Sequence, residues 1–353
     1  MDAAGGGTHT GRAFIGSFTS AGGLGIMEAA VDPATGALIE TRVVDGVANP
    51  SYLAFEHTGA GSVLYAVSET TQGAVAAYDI ASPVPRPICA PVAVHGEGPT
   101  HLAVARGHLL TANYESGNVT VLPLAADGTP QAASDVLRHE GRGPDPARQL
   151  GPHAHQVLPD PSGRWVLSVD LGTDSVRICS LDAQAGKLTL HGQTALPPGT
   201  GPRHLAFHPA GGHAYVLGEL EPTVTMCRWD AAAGVLEPVG ATSLFPDATP
   251  DAVSPSAPVV SHDGRHLWVA VRGTDTIAVL ALDGAGEQAD LVTSVPCGGR
   301  WPRDLVLHPS GRRLYAANEG SGDVTWLDVD SATGIPHRAG SLSVPAASNV
   351  VFV

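Results

Sequence analysis

Short apolar runs, each bounded by Gly, Pro, Asp or Ser, fill the chain from about residue 12 to its end, and helical periodicity of useful length is absent. Ala214-Tyr215-Val216-Leu217 and Leu314-Tyr315-Ala316-Ala317 are representative, each followed by a polar pair, Gly218-Glu219 or Asn318-Glu319. Runs of this length and composition predict strands, and the punctuation between them predicts tight hairpins.

The runs repeat. A proline opens an apolar run at Pro50, Pro99, Pro152, Pro202, Pro255, Pro302 and Pro345, at intervals of 43 to 53 residues. Four strands of about 5–6 residues with their turns fit that period, which is the size of one β-propeller blade. In the best-preserved copies, Gly201-Pro202-Arg203-His204-Leu205-Ala206-Phe207-His208-Pro209 and Trp301-Pro302-Arg303-Asp304-Leu305-Val306-Leu307-His308-Pro309, a first strand runs into a Gly-closed turn. A second and a third strand follow, the third being Thr223-Val224-Thr225-Met226-Cys227 or Asp323-Val324-Thr325-Trp326-Leu327. Residues 12–47 supply three strands with no proline-led strand before them, and residues 345–353 supply only that missing strand. Joining the two completes blade one from both termini and removes an exposed sheet edge. The sequence therefore predicts an all-β fold, a seven-bladed β-propeller of four-stranded antiparallel blades. It is one domain over residues 12–353 with a continuous annular core between blades, preceded by a Gly- and Thr-rich tail, residues 1–11, expected to be disordered.

Composition narrows the partners. With 19 Lys+Arg against 34 Asp+Glu the formal charge is −15. That balance repels nucleic acid and anionic membrane, and it requires that any anionic substrate be met by a local cluster of arginines. No run approaches the ~18 apolar residues of a membrane span, and the start of the chain lacks a secretory pattern, so a cytoplasmic location is expected. Cys89, Cys179, Cys227 and Cys297 form no C-x-x-C pair and are expected to be buried free thiols. Oligomeric state carries no sequence signal.

Topology says which residues meet. In a four-stranded blade the first strand lines the channel and the second returns antiparallel beside it, so the start of one shares a mouth with the end of the other. This rule collects His101 with Asn113, His153 and His155 with Asp170, Arg203 and His204 with Glu219, Arg272, and Arg303 and Asp304 with Glu319. The opposite ends carry His57, His208, His262 and His308 at turn positions, where capping is the expected role. Arg303 and Asp304, adjacent in a strand, are expected to point to opposite sides, at least one of them structural, and His153 and His155 to the same side. An H-x-H pair can bind a metal, but spacing fixes no third ligand, and no metal or other cofactor is expected. Serine-hydrolase, zinc-peptidase, phosphate-loop and dinucleotide motifs are absent.

The segment Arg148-Gln149-Leu150-Gly151-Pro152-His153-Ala154-His155 resembles the signature of the lactonase family of seven-bladed propellers. The similarity continues through Phe14-Ile15-Gly16-Ser17, Asn49-Pro50-Ser51-Tyr52, Ala112-Asn113-Tyr114, Asp170-Leu171-Gly172-Thr173, Gly201-Pro202-Arg203-His204 and Pro302-Arg303-Asp304, which is essentially the whole chain. The resemblance implies a lactonase that hydrolyses a sugar lactone, most simply 6-phosphogluconolactone to 6-phosphogluconate. An alternative is a lactonizing or cycloisomerase reaction on an unsaturated dicarboxylate or a specialised metabolite, and a third reading is a non-catalytic protein-binding propeller. Only 5% of the chain is aromatic, which leaves little material for the rim hot spots of that third class.

By resemblance to the lactonizing branch, the reaction centre comprises His155 or His153, Arg203, Glu219 and Arg272. Two departures stand out. Ser68 and Gly218 occupy positions where the family commonly has Asn before the glutamate, and Ala257-Pro258-Val259 replaces a Glu-Ile-His-like element. Opening a lactone needs a base for water, a site for the developing oxyanion and a proton for the leaving alkoxide. His155 and Glu219 are the candidates for proton transfer, an ion pair with a neighbouring blade being the alternative for Glu219, and Arg203 for the oxyanion or a carboxylate. Arg148, Arg272 and Arg303 can hold an anionic group by forked hydrogen bonds. His153, His101, Asp170 and His204 complete the expected substrate-binding wall.

Overall fold

The computed structural model describes residues 11–59 and 61–353. The strands form seven antiparallel sheets, and the innermost strands of blades two to seven are Leu53–Thr58, Pro99–Ala105, Ala154–Pro159, Pro202–Phe207, Ser254–Val260 and Pro302–Leu307. In blade one the innermost strand is Ala347–Phe352. It pairs with Gly11–Ser17, which in turn pairs with Ile26–Val31. Reciprocal backbone bonds between Arg12 and Val353 fasten the joint. Each innermost strand touches the next around a closed circuit, so the predicted ring and its closure from both termini are present. Of the expected tail, residues 1–10 lie outside the described residues and Gly11 is already in a strand.

Two expectations change. The core is not one continuous annulus but seven separate apolar clusters, one at each blade-to-blade interface. The cause is the period-two alternation of a strand whose sheet is covered on both faces. In blade five, Ala214 and Val216 pack toward blade four, while Tyr215 and Leu217 pack toward blade six. Blade two also departs from the four-strand pattern: its outer strand is split into Arg86–Pro87 and Val92–Ala93, which pair with opposite ends of Ala74–Asp79. Pro83, Pro85, Pro87 and Pro91 crowd this stretch, and each lacks the N–H a ladder needs.

The blades are latched at the end of the channel away from the predicted site. The second strands of five blades carry an aromatic donor that reaches the next blade's outer hairpin. Tyr65, Tyr215 and Tyr315 donate from Oη to the carbonyls of Gly128, Gly286 and Gly36 at 2.8, 3.1 and 2.7 Å. Trp165 and Trp268 donate from Nε1 to Ala231 and Gly334 at 2.8 and 2.7 Å. Two histidines of this end cap turns as expected, His208 accepting from the Ala210 N–H and His308 from that of Ser310. The cysteines are free, three of them buried and Cys89 partly exposed. No helix among the described residues is long and apolar enough to cross a membrane.

Candidate active site

At the other mouth, six of the seven innermost strands slip register by one residue just as they enter the ring. The extra residues are Thr100, His155, Arg203, Ser256, Arg303 and Ser348. A bulge of this kind re-aims side chains that strict alternation would send to opposite faces. Arg303 and Asp304 show the effect: both line one narrow cavity, together with Arg203, His204 and Glu69. The expectation that Arg303 and Asp304 point apart is thereby corrected.

Glu219 directly follows the second strand of blade five and is the hub of one half of the mouth. Its Oε1 accepts from Arg148 Nη2 at 2.7 Å and its Oε2 from Arg272 Nη2 at 2.9 Å, with Arg203 Nε 3.2 Å from Oε2. Burial alone would raise its carboxyl. Arg272, Arg203, His155 and the Arg148 hydrogen bond outweigh that and hold it well below the usual range. Glu219 is thus a firmly ionised carboxylate and a poor proton carrier. Arg203 is itself fixed by a hydrogen bond from Nη1 to the Ser256 carbonyl. Burial, reinforced by Arg272, lowers it to about 9. Arg148 reaches this cluster from the loop between blades three and four because Gln149 anchors that loop: its amide donates to the Leu171 carbonyl and to Asp174 at 2.8 Å each, and its oxygen accepts from the Asp145 N–H.

Three histidines form the throat. His204 stands edge-on to His101 and His155, with ring centroids 5.5 and 5.2 Å away, and Tyr52 covers His101 at 4.1 Å. All three are buried, and burial drives their imidazoles toward the neutral form, His101 down to about 3 and the other two well below the ordinary value. Arg203 adds to each shift. His101 Nδ1, His155 Nδ1 and His204 Nε2 have no hydrogen-bond partner within the protein among the described residues. Buried polar atoms are rarely left so, and here they converge on the channel.

The opposite half of the mouth belongs to blades seven, one and two. Arg303 lies over the Phe18 ring at 4.7 Å, 3.4 Å from Glu319 and 3.8 Å from Glu69. Glu69 accepts a short hydrogen bond from Ser51 Oγ. Deeper in the channel, Asp304 accepts from Asn349 Nδ2 and the Val350 N–H, and burial raises it to about 6.

The structure brings His155, Arg203, Glu219, Arg272, Arg148, His101, His204 and Arg303 to one mouth. His153 joins them at the rim, stacked on Tyr114 at 4.4 Å with its Nδ1 on the Tyr114 carbonyl. Asp170 stands apart. It is fully enclosed in blade four by His139 at 2.6 Å, Arg177 at 2.8 Å and the His153 and Thr173 N–H groups, so it props the wall rather than facing the channel. The family departures are also structural. The residues equivalent to Ser68 and Gly218, Asn113 and Asn318, turn into their own blades and donate to Thr120 and Thr325. A Cβ at Gly218 would collide with the Glu221 carbonyl. Ala257 is packed into the interface between blades six and seven. Sequence reasoning placed Glu69, Tyr52 and Tyr114 in family motifs but gave them no role at the site. Glu69 carried a usable signal, since it directly follows the second strand of its blade as Glu219 and Glu319 do.

The family model for the seven-bladed β-propeller lactonases matches residues 12–352. A 6-phosphogluconolactonase of Bacillus subtilis is 34% identical over 345 residues, covering 96% of this chain and 97% of that protein. Among solved structures, a putative 6-phosphogluconolactonase from Bacteroides fragilis superposes with a TM-score of 0.90 at 27% identity, each chain covered in full. A periplasmic gluconolactonase from Pseudomonas aeruginosa does so at 0.89 and 28%, over 97% of this chain and 99% of its own.

Proposed function

The chain belongs to the lactonase family of seven-bladed β-propellers, and from that premise we propose how its mouth opens a sugar lactone and which lactone it takes. It is a lactonase, adding water across the ring ester. The substrate that fits best is a phosphorylated aldonolactone, 6-phosphogluconolactone in the simplest case, and one observation carries this. Arg148, Arg203 and Arg272 surround the single carboxylate of Glu219, leaving two positive charges in excess on a chain whose formal net charge is −15. A phosphate dianion matches that excess, and Arg148, 40% exposed and hydrogen-bonded through Nη2, has its other guanidinium N–H groups to offer it.

In this reading Arg203, rigid and desolvated, receives the oxyanion of the tetrahedral intermediate. His155, a neutral imidazole with an unpartnered Nδ1, takes the proton from water; burial and Arg203 oppose the imidazolium so formed, and the nearby Glu219 charge offsets part of that. Glu219 acts as the fixed anion that keeps three guanidiniums together. That assignment replaces proton transfer by Glu219, because both of its oxygens are already occupied by guanidiniums, whereas His155 Nδ1 is open.

A lactone panel followed with a pH indicator tests the proposal. A phosphorylated gluconolactone should exceed its unphosphorylated counterpart at least about tenfold in kcat/KM, the order of one well-made charge-assisted hydrogen bond. Hydrolysis of neither would overturn the lactone reading, and equal rates would overturn the phosphate. The free thiols favour a reducing compartment, and cell fractionation distinguishes that from the periplasmic location of the Pseudomonas relative.

A further inference from the structure

We propose that Glu69 is a catalytic acid of this site, delivering the proton that the ring oxygen takes up as the lactone opens. The inference rests on the lactonase reading above and assigns the one transfer that reading leaves without a donor. Glu69 directly follows the second strand of blade two, Gly61–Ser68, the position Glu219 holds after His213–Gly218 in blade five, and it lines the same cavity as Arg203.

The two glutamates differ in what occupies their oxygens. Both oxygens of Glu219 are taken by guanidiniums. Glu69 has only the Ser51 hydroxyl on Oε2, and its Oε1 accepts no hydrogen bond among the described residues, with Arg303 no closer than 3.8 Å. One oxygen is therefore held in place and the other is available. The charged groups facing it are Arg303, Arg203 and Glu319. Burial raises its carboxyl, and the Glu319 charge adds to that against the lowering pull of Arg303, the Ser51 hydrogen bond and Arg203. Glu219 moves the other way. A pair of carboxyls pushed apart by their surroundings is the arrangement that separates a proton donor from a permanent anion.

The step balances. Water gives one proton to His155 as its oxygen bonds to the lactone carbonyl carbon, and the oxyanion rests on Arg203. On collapse the bond between that carbon and the ring oxygen breaks, and the ring oxygen takes the Glu69 proton. Solvent then returns His155 to neutrality and Glu69 to its acid form, so the net change is addition of one water.

Glu69→Gln keeps the shape and the Ser51 contact, and on the sugar lactone that the parent hydrolyses best it should lower kcat by about 10²–10⁴ with KM changed less than about threefold. The parent should lose kcat on the alkaline side as Glu69 ionises. That limb should vanish in Glu69→Gln and persist in Glu69→Asp. Ser51→Ala, which removes a bond that favours the carboxylate, should move the limb to higher pH in a folded enzyme. Turnover in Glu69→Gln within twofold of the parent, or a large loss with the limb unmoved in all three variants, would overturn the assignment. A parent inert on every lactone would instead sink the reading on which it rests.

Discussion

The two ends of the same strands follow opposite rules. At the latched end, aromatic N–H and O–H groups and turn histidines find protein partners, as with Trp268 on Gly334 and His308 on the Ser310 N–H. At the mouth, six inner strands bulge, and three buried imidazoles each keep a nitrogen without a hydrogen-bond partner. Both ends are built from one repeated blade, so the difference cannot come from the fold. Satisfied groups hold the ring together, whereas the three mouth imidazoles, left unsatisfied at a cost of about 1–3 kcal/mol each, are open to something that binds there. Stability and function should therefore separate by strand end.

The harshest challenge to that separation is closure itself. Deleting residues 345–353 removes the innermost strand of blade one, bares the edge of Gly11–Ser17 and opens two apolar interfaces. Loss of cooperative thermal unfolding is expected, and a truncated chain that melts within a few degrees of the parent would break the account of the ring. Glu219→Gln comes next, and it tests whether the mouth also bears load. Removing the one carboxylate among three arginines should cost about 3–5 kcal/mol in a denaturant titration. Millimolar inorganic phosphate should restore part of it, since a ligand bound only to the folded state stabilises it. Unchanged stability without phosphate would show that the cluster is not held by Glu219.

Acid should act on both ends, through His266 and His308 at the latched one and more strongly at the mouth. His101, His155 and His204 have folded values below their unfolded ones, so between the two the unfolded chain binds more protons and stability falls as pH drops below about 6.5. Glu219 adds a second loss below about 4.3, the unfolded carboxyl value, as pH falls toward its depressed folded one. His101→Phe should flatten the slope of stability between pH 6.5 and about 3, and a slope unchanged by it would refute the neutral throat. The smallest effect is expected of Trp268→Phe, which leaves the buried Gly334 carbonyl without its donor. Stability should fall by about 1–3 kcal/mol while kcat/KM stays within twofold of the parent. A change in turnover larger than that would couple the two ends.

Much of this was legible from residue order. Seven prolines at a near-constant interval count the blades, and the complementary deficits of residues 12–47 and 345–353 close them, because hairpin spacing and strand length are local properties of the chain. Strand direction then decides that Arg203, Glu219 and His155 share a mouth, since antiparallel neighbours must alternate. The third dimension decided the rest. Bulges set Arg303 and Asp304 on one cavity against the period of two, and the Gln149 anchor carries Arg148 across blade four to a carboxylate 71 positions away. Tertiary structure also separated Glu219 from Glu69. Their places in the repeat are the same, but the charge a carboxyl carries depends on which guanidiniums surround it and how much water it has lost, and no local pattern of residues records either.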